Sequence, residues 1–166
     1  MIKNLFEQHI ERLCRSYSLL MEKYGYERVI IHSGKQDYYY CDDIAKPFRS
    51  SFHFNHWLPL DRHANCAIEF RIAEKPRLYF FQPNDYWHGM AEVPDDYWLD
   101  SFSLTSVASE AELLDLLNVS IVRTLYIGEA EIPLKSFCES NNPLFIHELQ
   151  LLRTIKSEYE VLCIKE

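Results

Sequence analysis

The sequence predicts one α/β domain in which a mixed β-sheet is flanked by helices. Three observations favour this class. Helix-like and strand-like apolar patterns alternate along the chain, one strand pair is joined by a short turn, and a continuous apolar triplet marks a strand buried on both faces. The 166 residues are 48% hydrophobic, which is enough for one core, and no repeat or linker divides them.

The first elements are a long helix and a buried strand. Apolar residues recur at spacings of four and three, at Phe6, Ile10, Leu13, Tyr17, Leu20 and Tyr24. Asn4 and Glu7 are placed like a capping box at the start of this helix, and Gly25 is placed to end it. The apolar triplet at 29–31 then predicts a buried strand, and the stretch at 38–41 predicts a second, shorter one.

The middle of the chain predicts a β-hairpin and, further on, another strand. Apolar and polar residues alternate over 66–72, which indicates a half-buried strand. A turn at 74–76 then returns the chain as an antiparallel strand over 77–81. Residues 124–127, before a glycine, are a further strand candidate.

Capping residues mark three more helices. Ser109 and Glu112 have the spacing of a capping box ahead of a short leucine-rich helix, and a proline at 143 suits the start of a helix around 145–155. Ser157 and Glu160 form a second capping box. A helix with so few residues after its cap is marginal in water, so we expect it to continue beyond this chain. The alternative is a frayed native C-terminus.

Composition argues against several classes of function. A net charge of −8 without a basic block repels phosphate backbones, so we expect no nucleic-acid partner. No apolar run reaches the length of a membrane span and no signal peptide is present, so we expect a soluble, cytoplasmic protein without a membrane partner. The five cysteines are scattered, which favours reduced thiols over disulfides or a zinc ribbon.

The residues alone predict no catalytic centre and no metal site. His53, His56 and His63 are the only dense group of possible ligands, but their spacing fits neither a helical zinc pair nor a zinc finger. Ser33 lacks the glycine-flanked elbow of a hydrolase nucleophile. The adjacent carboxylates Asp42 and Asp43 could share a proton or a cation, but a turn role is favoured.

Short motifs in a fixed order run along nearly the whole chain. They are Ile31-His32-Ser33-Gly34, Asp42-Asp43-x-x-x-Pro47-Phe48, Trp57-Leu58-Pro59, Lys75-Pro76-Arg77-Leu78-Tyr79-Phe80, Asp85-Tyr86-Trp87-His88, Tyr97-Trp98 and Tyr126-Ile127-Gly128-Glu129. Together they resemble the N-terminal domain of bacterial Xaa-Pro dipeptidases (prolidases), the branch that includes organophosphorus acid anhydrolases. The stretch at 153–160 resembles the family's junction with its catalytic domain. The loop between Phe48 and Trp57 departs from the family, which usually has proline and lysine there.

The resemblance implies a two-domain enzyme of which this chain holds the non-catalytic part. Residues 1–156 would form a creatinase/prolidase-type domain with ribonuclease H-like topology, and 157–166 would begin the helix leading to a pita-bread catalytic domain outside this chain. In the family that second domain binds two metal ions, usually manganese, which activate a water molecule against the Xaa-Pro bond. No catalytic residue and no cofactor are therefore expected within this chain.

The resemblance also implies a role in trans. The family's N-terminal domain helps to build a homodimer and closes over the partner's active site, where dipeptides with C-terminal proline are hydrolysed. Asp43 would hold the amino group of the dipeptide and Trp87 would wall its pocket. Two alternatives stay open: a stand-alone dimerisation or peptide-binding module without catalysis, and a small hydrolase that uses His53, His56 and His63.

Overall fold

The computed structural model describes residues 1–83, 96–119, 122–129, 133–134 and 138–165. The helices in these ranges are α1 (Ile2–Tyr24), α2 (Phe52–Trp57), α3 (Glu110–Leu117), α4 (Pro143–Leu152) and α5 (Glu158–Lys165). The strands are β1 (Arg28–His32), β2 (Ala67–Phe70), β3 (Arg77–Phe81), β4 (Ser103–Val107), β5 (Thr124–Ile127) and β6 (Cys138–Ser140).

The strands form one mixed sheet in the order β4-β3-β2-β1-β5-β6. The pairs β1–β2 and β2–β3 are antiparallel, whereas β1–β5, β5–β6 and β3–β4 are parallel. Strands β1, β2 and β3 form an antiparallel meander, β5 and β6 continue the sheet in parallel beside β1, and β4 adds a parallel edge strand beside β3. The meander and the parallel pair next to β1 agree with the ribonuclease H-like topology that the resemblance implied. The predicted mixed sheet flanked by helices is confirmed.

Helices cover both faces of the sheet. Side chains from α1, α2, α4 and α5 build the larger core on one face, which includes Phe6, Trp57, Phe145 and Tyr159. Leu113 and Leu117 of α3 build a smaller core on the other face, against Ile30, Tyr79, Val107 and Tyr126. Successive residues of a strand point to opposite faces of the sheet. Because both faces are covered, β1 is buried along its whole length.

A charged network lies within the smaller core. Arg28 is 1% exposed and donates to Thr124 Oγ1 at 3.0 Å and to the carbonyl oxygen of Leu117 at 2.7 Å. Its Nη1 lies 3.6 Å from Glu69 Oε1, and Glu69 also accepts hydrogen bonds from Tyr79 Oη at 2.6 Å and from Arg71. The buried charges are therefore paired and hydrogen-bonded, as burial requires.

Three local predictions are wrong. Helix α1 begins at Ile2, so Asn4 and Glu7 lie inside its first turns and do not cap it. The stretch at 38–41 is not a strand, because it makes only the bridge between Tyr38 and Ala45. Strand β2 is buried on both faces rather than one. The end of α1 at Gly25, which has φ 74°, is confirmed, as is the antiparallel hairpin of β2 and β3.

Candidate functional site

The candidate site lies at the edge of the sheet where the parallel strands β1 and β5 both end. Beyond β1, Ser33 donates its N–H to the carbonyl oxygen of Cys66 at 2.8 Å and accepts from the Cys66 N–H at its Oγ at 3.0 Å. His32 Nδ1 accepts from the Gly34 N–H at 3.1 Å. These contacts use Ser33 and His32 to fix the chain as it leaves the sheet.

Asp43 lies on an exposed loop, residues 37–47, that follows this exit. The Asp42 side chain accepts from the Ile44 N–H at 3.0 Å, which confirms a turn role for the first aspartate, and Asp43 is exposed beside it. The same loop exposes large apolar side chains at Tyr38 (55%), Tyr39 (51%), Tyr40 (95%) and Ile44 (59%). Trp87 lies outside the described residues, so its place near Asp43 stays a prediction.

Two neighbouring cavities lie next to the segment around Ser51 and Phe52. The first, of about 560 Å³, is lined by His9, His56, Arg153 and Glu160 among others. The second, of about 590 Å³, is lined by Ile127, Gly128, Ile146 and His147 among others. Ser51, Phe52 and Glu129 line both cavities, so the two share a wall.

The three predicted histidines separate in the structure. His53 packs on the ring of Phe52 with centroids 3.9 Å apart, and His63 packs near Phe80 at 5.4 Å. Only His56 reaches the first cavity, where it meets His9 and Glu160. Ligand atoms of His9, His56 and Glu160 all lie within 4.8 Å of one another. We call these three residues the His-His-Glu cluster.

Hydrogen bonds orient two members of this cluster. His9 Nε2 donates to the carbonyl oxygen of His56 at 2.8 Å, so His9 Nδ1 accepts from Ser157 Oγ at 2.9 Å. Glu160 accepts the Ser157 N–H at 2.8 Å, while Ser157 Oγ accepts the Glu160 N–H at 3.2 Å. The predicted capping box at the start of α5 is therefore confirmed. Its Glu160 belongs to the cluster, and its Ser157 contacts the cluster through His9.

Burial decides the charge of this cluster. It lowers the pKa of both His9 and His56 from the ordinary value, because a buried imidazole loses the hydration of its charged form. Burial alone would raise the pKa of Glu160, but the hydrogen bond from the Ser157 N–H and attraction to the charged forms of His56, His9 and Lys156 outweigh it and lower that pKa. At neutral pH the cluster holds two neutral imidazoles and one carboxylate.

Comparison with known sequences identifies the family of the chain. The sequence profile described as "Xaa-Pro dipeptidase, N-terminal domain" matches residues 4–150. This chain belongs to that family. The resemblance inferred from the ordered motifs is confirmed, and residues 4–150 include both Asp43 and the loop that carries it.

Curated members of the family extend well beyond the matched region. The Xaa-Pro dipeptidase of Shewanella oneidensis is 31% identical over 168 residues, which covers 99% of this chain and 38% of the relative. That of Shewanella putrefaciens is 31% identical over 164 residues, covering 96% of this chain and 37% of the relative. This member of the dipeptidase N-terminal domain family thus spans well under half the length of the relatives it matches.

Two further findings concern a solved structure and the hydropathy of the helices. A solved structure from Bacillus anthracis, assigned as an aminopeptidase P, is similar to this chain at a TM-score of 0.48 and 14% sequence identity. The alignment covers 91% of this chain and 36% of the Bacillus anthracis chain. That similarity is too distant to bear on function. Among the residues described for this dipeptidase-family domain, no helix is both long and apolar enough to cross a bilayer.

Proposed function

We propose that this chain is the non-catalytic N-terminal domain of a cytoplasmic Xaa-Pro dipeptidase that hydrolyses dipeptides with C-terminal proline. The family match and the names of the curated relatives support this activity. Because the chain spans 38% of the Shewanella oneidensis relative, the catalytic residues and two manganese ions would belong to the remainder of such an enzyme. The chain by itself would be inactive.

The observation that carries the role of this domain is the exposed loop at 37–47. Tyr38, Tyr39, Tyr40 and Ile44 place large apolar surface in water on one short segment, beside the carboxylate of Asp43. Exposed aromatic side chains grouped in this way are typical of surfaces that a partner covers. We infer that the loop closes over the active site of the second subunit in a homodimer.

Asp43 supplies the charge that this role needs. A dipeptide substrate carries a free ammonium group, which pairs well with a carboxylate that a closing partner shields from water. In this proposal Asp43 binds the ammonium group and Trp87 forms a wall of the same small pocket. A pocket closed at the amino end would admit dipeptides and exclude longer peptides.

A second exposed apolar surface fits a neighbouring catalytic domain. Leu144 and Leu151 of α4, Ile155, and Val161 and Ile164 of α5 are exposed by 39% to 72%. Exposure of such side chains to water is unfavourable, and a packed neighbour would bury them. We infer that α4 and α5 face the catalytic domain of the same subunit.

The experiment is a kinetic comparison in the full-length enzyme. Loss of a charge-assisted contact typically costs about 1.5–3 kcal/mol, so Asp43→Ala is expected to raise KM for Gly-Pro and Leu-Pro by about 10-fold to 150-fold. Manganese content is expected to stay unchanged, because Asp43 is assigned no metal.

Asp37→Ala is the matched control, since Asp37 is an exposed aspartate on the same loop whose nearest cation is Lys46 at 3.8 Å. The isolated chain with added manganese is the blank and is expected to give no turnover. An unchanged KM in Asp43→Ala would remove the proposed contact, and robust turnover by the isolated chain would overturn the assignment as a non-catalytic domain.

A further inference from the structure

Three ligand-type side chains from three different helices meet at one end of the first cavity. His9 comes from α1, His56 from the last turn of α2 and Glu160 from the first turn of α5, and their ligand atoms lie within 4.8 Å of one another. We propose that the His-His-Glu cluster binds a divalent transition-metal ion of the zinc class. Two imidazoles and one carboxylate are ligands that zinc uses with a position left open to water.

The distance between two of the ligands fits a shared ion. His56 Nε2 lies 3.6 Å from Glu160 Oε1, which is too long for a hydrogen bond. Two ligands of a tetrahedral zinc ion, at bond lengths of about 2.0–2.2 Å, are separated by about 3.3–3.5 Å. An ion therefore fits between these two atoms with little movement of either side chain.

The third ligand is already oriented by a hydrogen bond of the kind found in metal sites. His9 Nε2 donates to the backbone carbonyl of His56, and this contact fixes both the ring and its tautomer. The remaining lone pair is on Nδ1, which now accepts from the Ser157 hydroxyl at 2.9 Å. The ion would displace this hydroxyl, which still accepts the Glu160 N–H. This competition predicts an exchangeable ion rather than a permanently bound one.

Nearby cations set a limit on the affinity without blocking the site. Lys156 Nζ lies 3.8 Å from Glu160 Oε1, but 40% of the Lys156 side chain is exposed and its ammonium group can turn into solvent. The Arg153 guanidinium lies over the ring of Phe52, 4.9 Å from its centroid. The ion would replace Lys156 as the partner of Glu160. It would thereby join the start of α5 to α1 and α2.

The experiment is a titration of the purified, reduced 166-residue chain with Co²⁺, a coloured probe for zinc sites. We expect one equivalent to bind, with the visible absorption of cobalt in a nitrogen and oxygen site, and Zn²⁺ to abolish that absorption by displacement. His56→Ala and Glu160→Gln are expected to weaken binding by at least about tenfold, because each removes a direct ligand.

Two features of the design keep the result decisive. Glu160→Gln retains a carbonyl oxygen that can accept the Ser157 N–H, so this variant is expected to keep the cap of α5. Circular dichroism would detect a folding defect in His56→Ala. In that case Glu160→Gln still tests the site. His63→Ala is the control, because His63 packs near Phe80 outside the cluster and is expected to bind cobalt like the unmodified chain.

Absence of binding at cobalt concentrations on the order of millimolar, a weak range for a protein metal site, would overturn the proposal. Equal binding by Glu160→Gln and the unmodified chain, or the charge-transfer absorption of a cobalt–thiolate bond, would also overturn it. The readout does not involve peptide hydrolysis, so it stands or falls separately from the dipeptidase assignment.

Discussion

Gly128 allows a quantitative test of the packing at the edge of the second cavity. A Cβ at this position would lie 2.6 Å from Tyr126 Oη, 2.9 Å from Tyr126 Cζ and 3.0 Å from His32 Cβ. Tyr126 is 2% exposed, so its ring has no free space to move into. Overpacking costs about 1–3 kcal/mol, whereas replacing glycine by alanine restricts the unfolded chain and contributes at most about 1 kcal/mol.

We therefore expect Gly128→Ala to lower the free energy of unfolding by about 1–2 kcal/mol. For a chain of this size that corresponds to a decrease in Tm of about 2–8 °C. Urea unfolding followed by circular dichroism, at constant m-value, measures the change.

Tyr126→Phe separates the clash from other effects of the alanine. The Tyr126 hydroxyl is buried and makes no hydrogen bond to any residue that the structure describes, so its removal is expected to be neutral or slightly stabilising. In the double variant the 2.6 Å contact disappears, and the cost of Gly128→Ala is expected to fall by at least about 0.5 kcal/mol. An alanine cost that is the same with tyrosine and with phenylalanine at position 126 would refute the reasoning.

Two further predictions concern the buried network around Glu69. Glu69→Ala leaves Arg28 buried without its carboxylate and is expected to lower the free energy of unfolding in urea by about 3–5 kcal/mol. Glu74 is exposed, so Glu74→Ala is the control and is expected to change stability by less than about 0.5 kcal/mol. Similar costs for the two variants would contradict the buried pair. Burial would raise the pKa of Glu69, but hydrogen bonds from Tyr79 and Arg71 outweigh it and hold that pKa below the ordinary 4.5. A carboxyl group whose pKa is lowered by folding stabilises the folded state at pH values above its ordinary pKa, and this stabilisation is lost as pH falls through the folded pKa. The difference in free energy of unfolding between Glu69→Ala and the unmodified chain is therefore expected to shrink as pH falls below 4.5. A difference that grows in that range would contradict the predicted sign.

Features that depend only on residues close together in the sequence could be predicted. Gly25 ends α1 because a left-handed residue closes the last turn, and the Ser109 and Ser157 caps form within one turn of their helices. Strands β4 and β6 were not predicted. β4 is only partly buried along its length and β6 has three residues, none of them fully buried, so their apolar patterns are weak.

Strand β2 shows why alternation of apolar and polar residues led to the wrong prediction of a strand buried on one face only. Glu69 follows the polar phase of the pattern, yet it is 7% exposed because it lies on the side of the sheet that carries the smaller core. A charged residue paired in the interior leaves the same sequence pattern as one in water. Only the position of Arg28 on the neighbouring strand distinguishes the two, and strand order is not a local property.

The His-His-Glu cluster could not be predicted for the same physical reason, although two of its members, His56 in the dense histidine group and Glu160, were already singled out in the sequence. Glu160 was identified as a capping residue, and His9 lies beside the apolar stripe of α1. Nothing in either segment indicates that the two helices meet. Their contact follows from packing Tyr159 against Phe6, with ring centroids 5.0 Å apart, which brings the first turn of α5 onto α1.

The cap and the cluster are thus one structure with two effects. Ser157 and Glu160 begin α5 through their mutual hydrogen bonds, and the same side chains contact His9 and His56. These contacts therefore fix both the residue at which α5 begins and where its first turn packs against α1 and α2. A change that weakens the cluster would therefore act on the start of α5 as well as on any ion bound there.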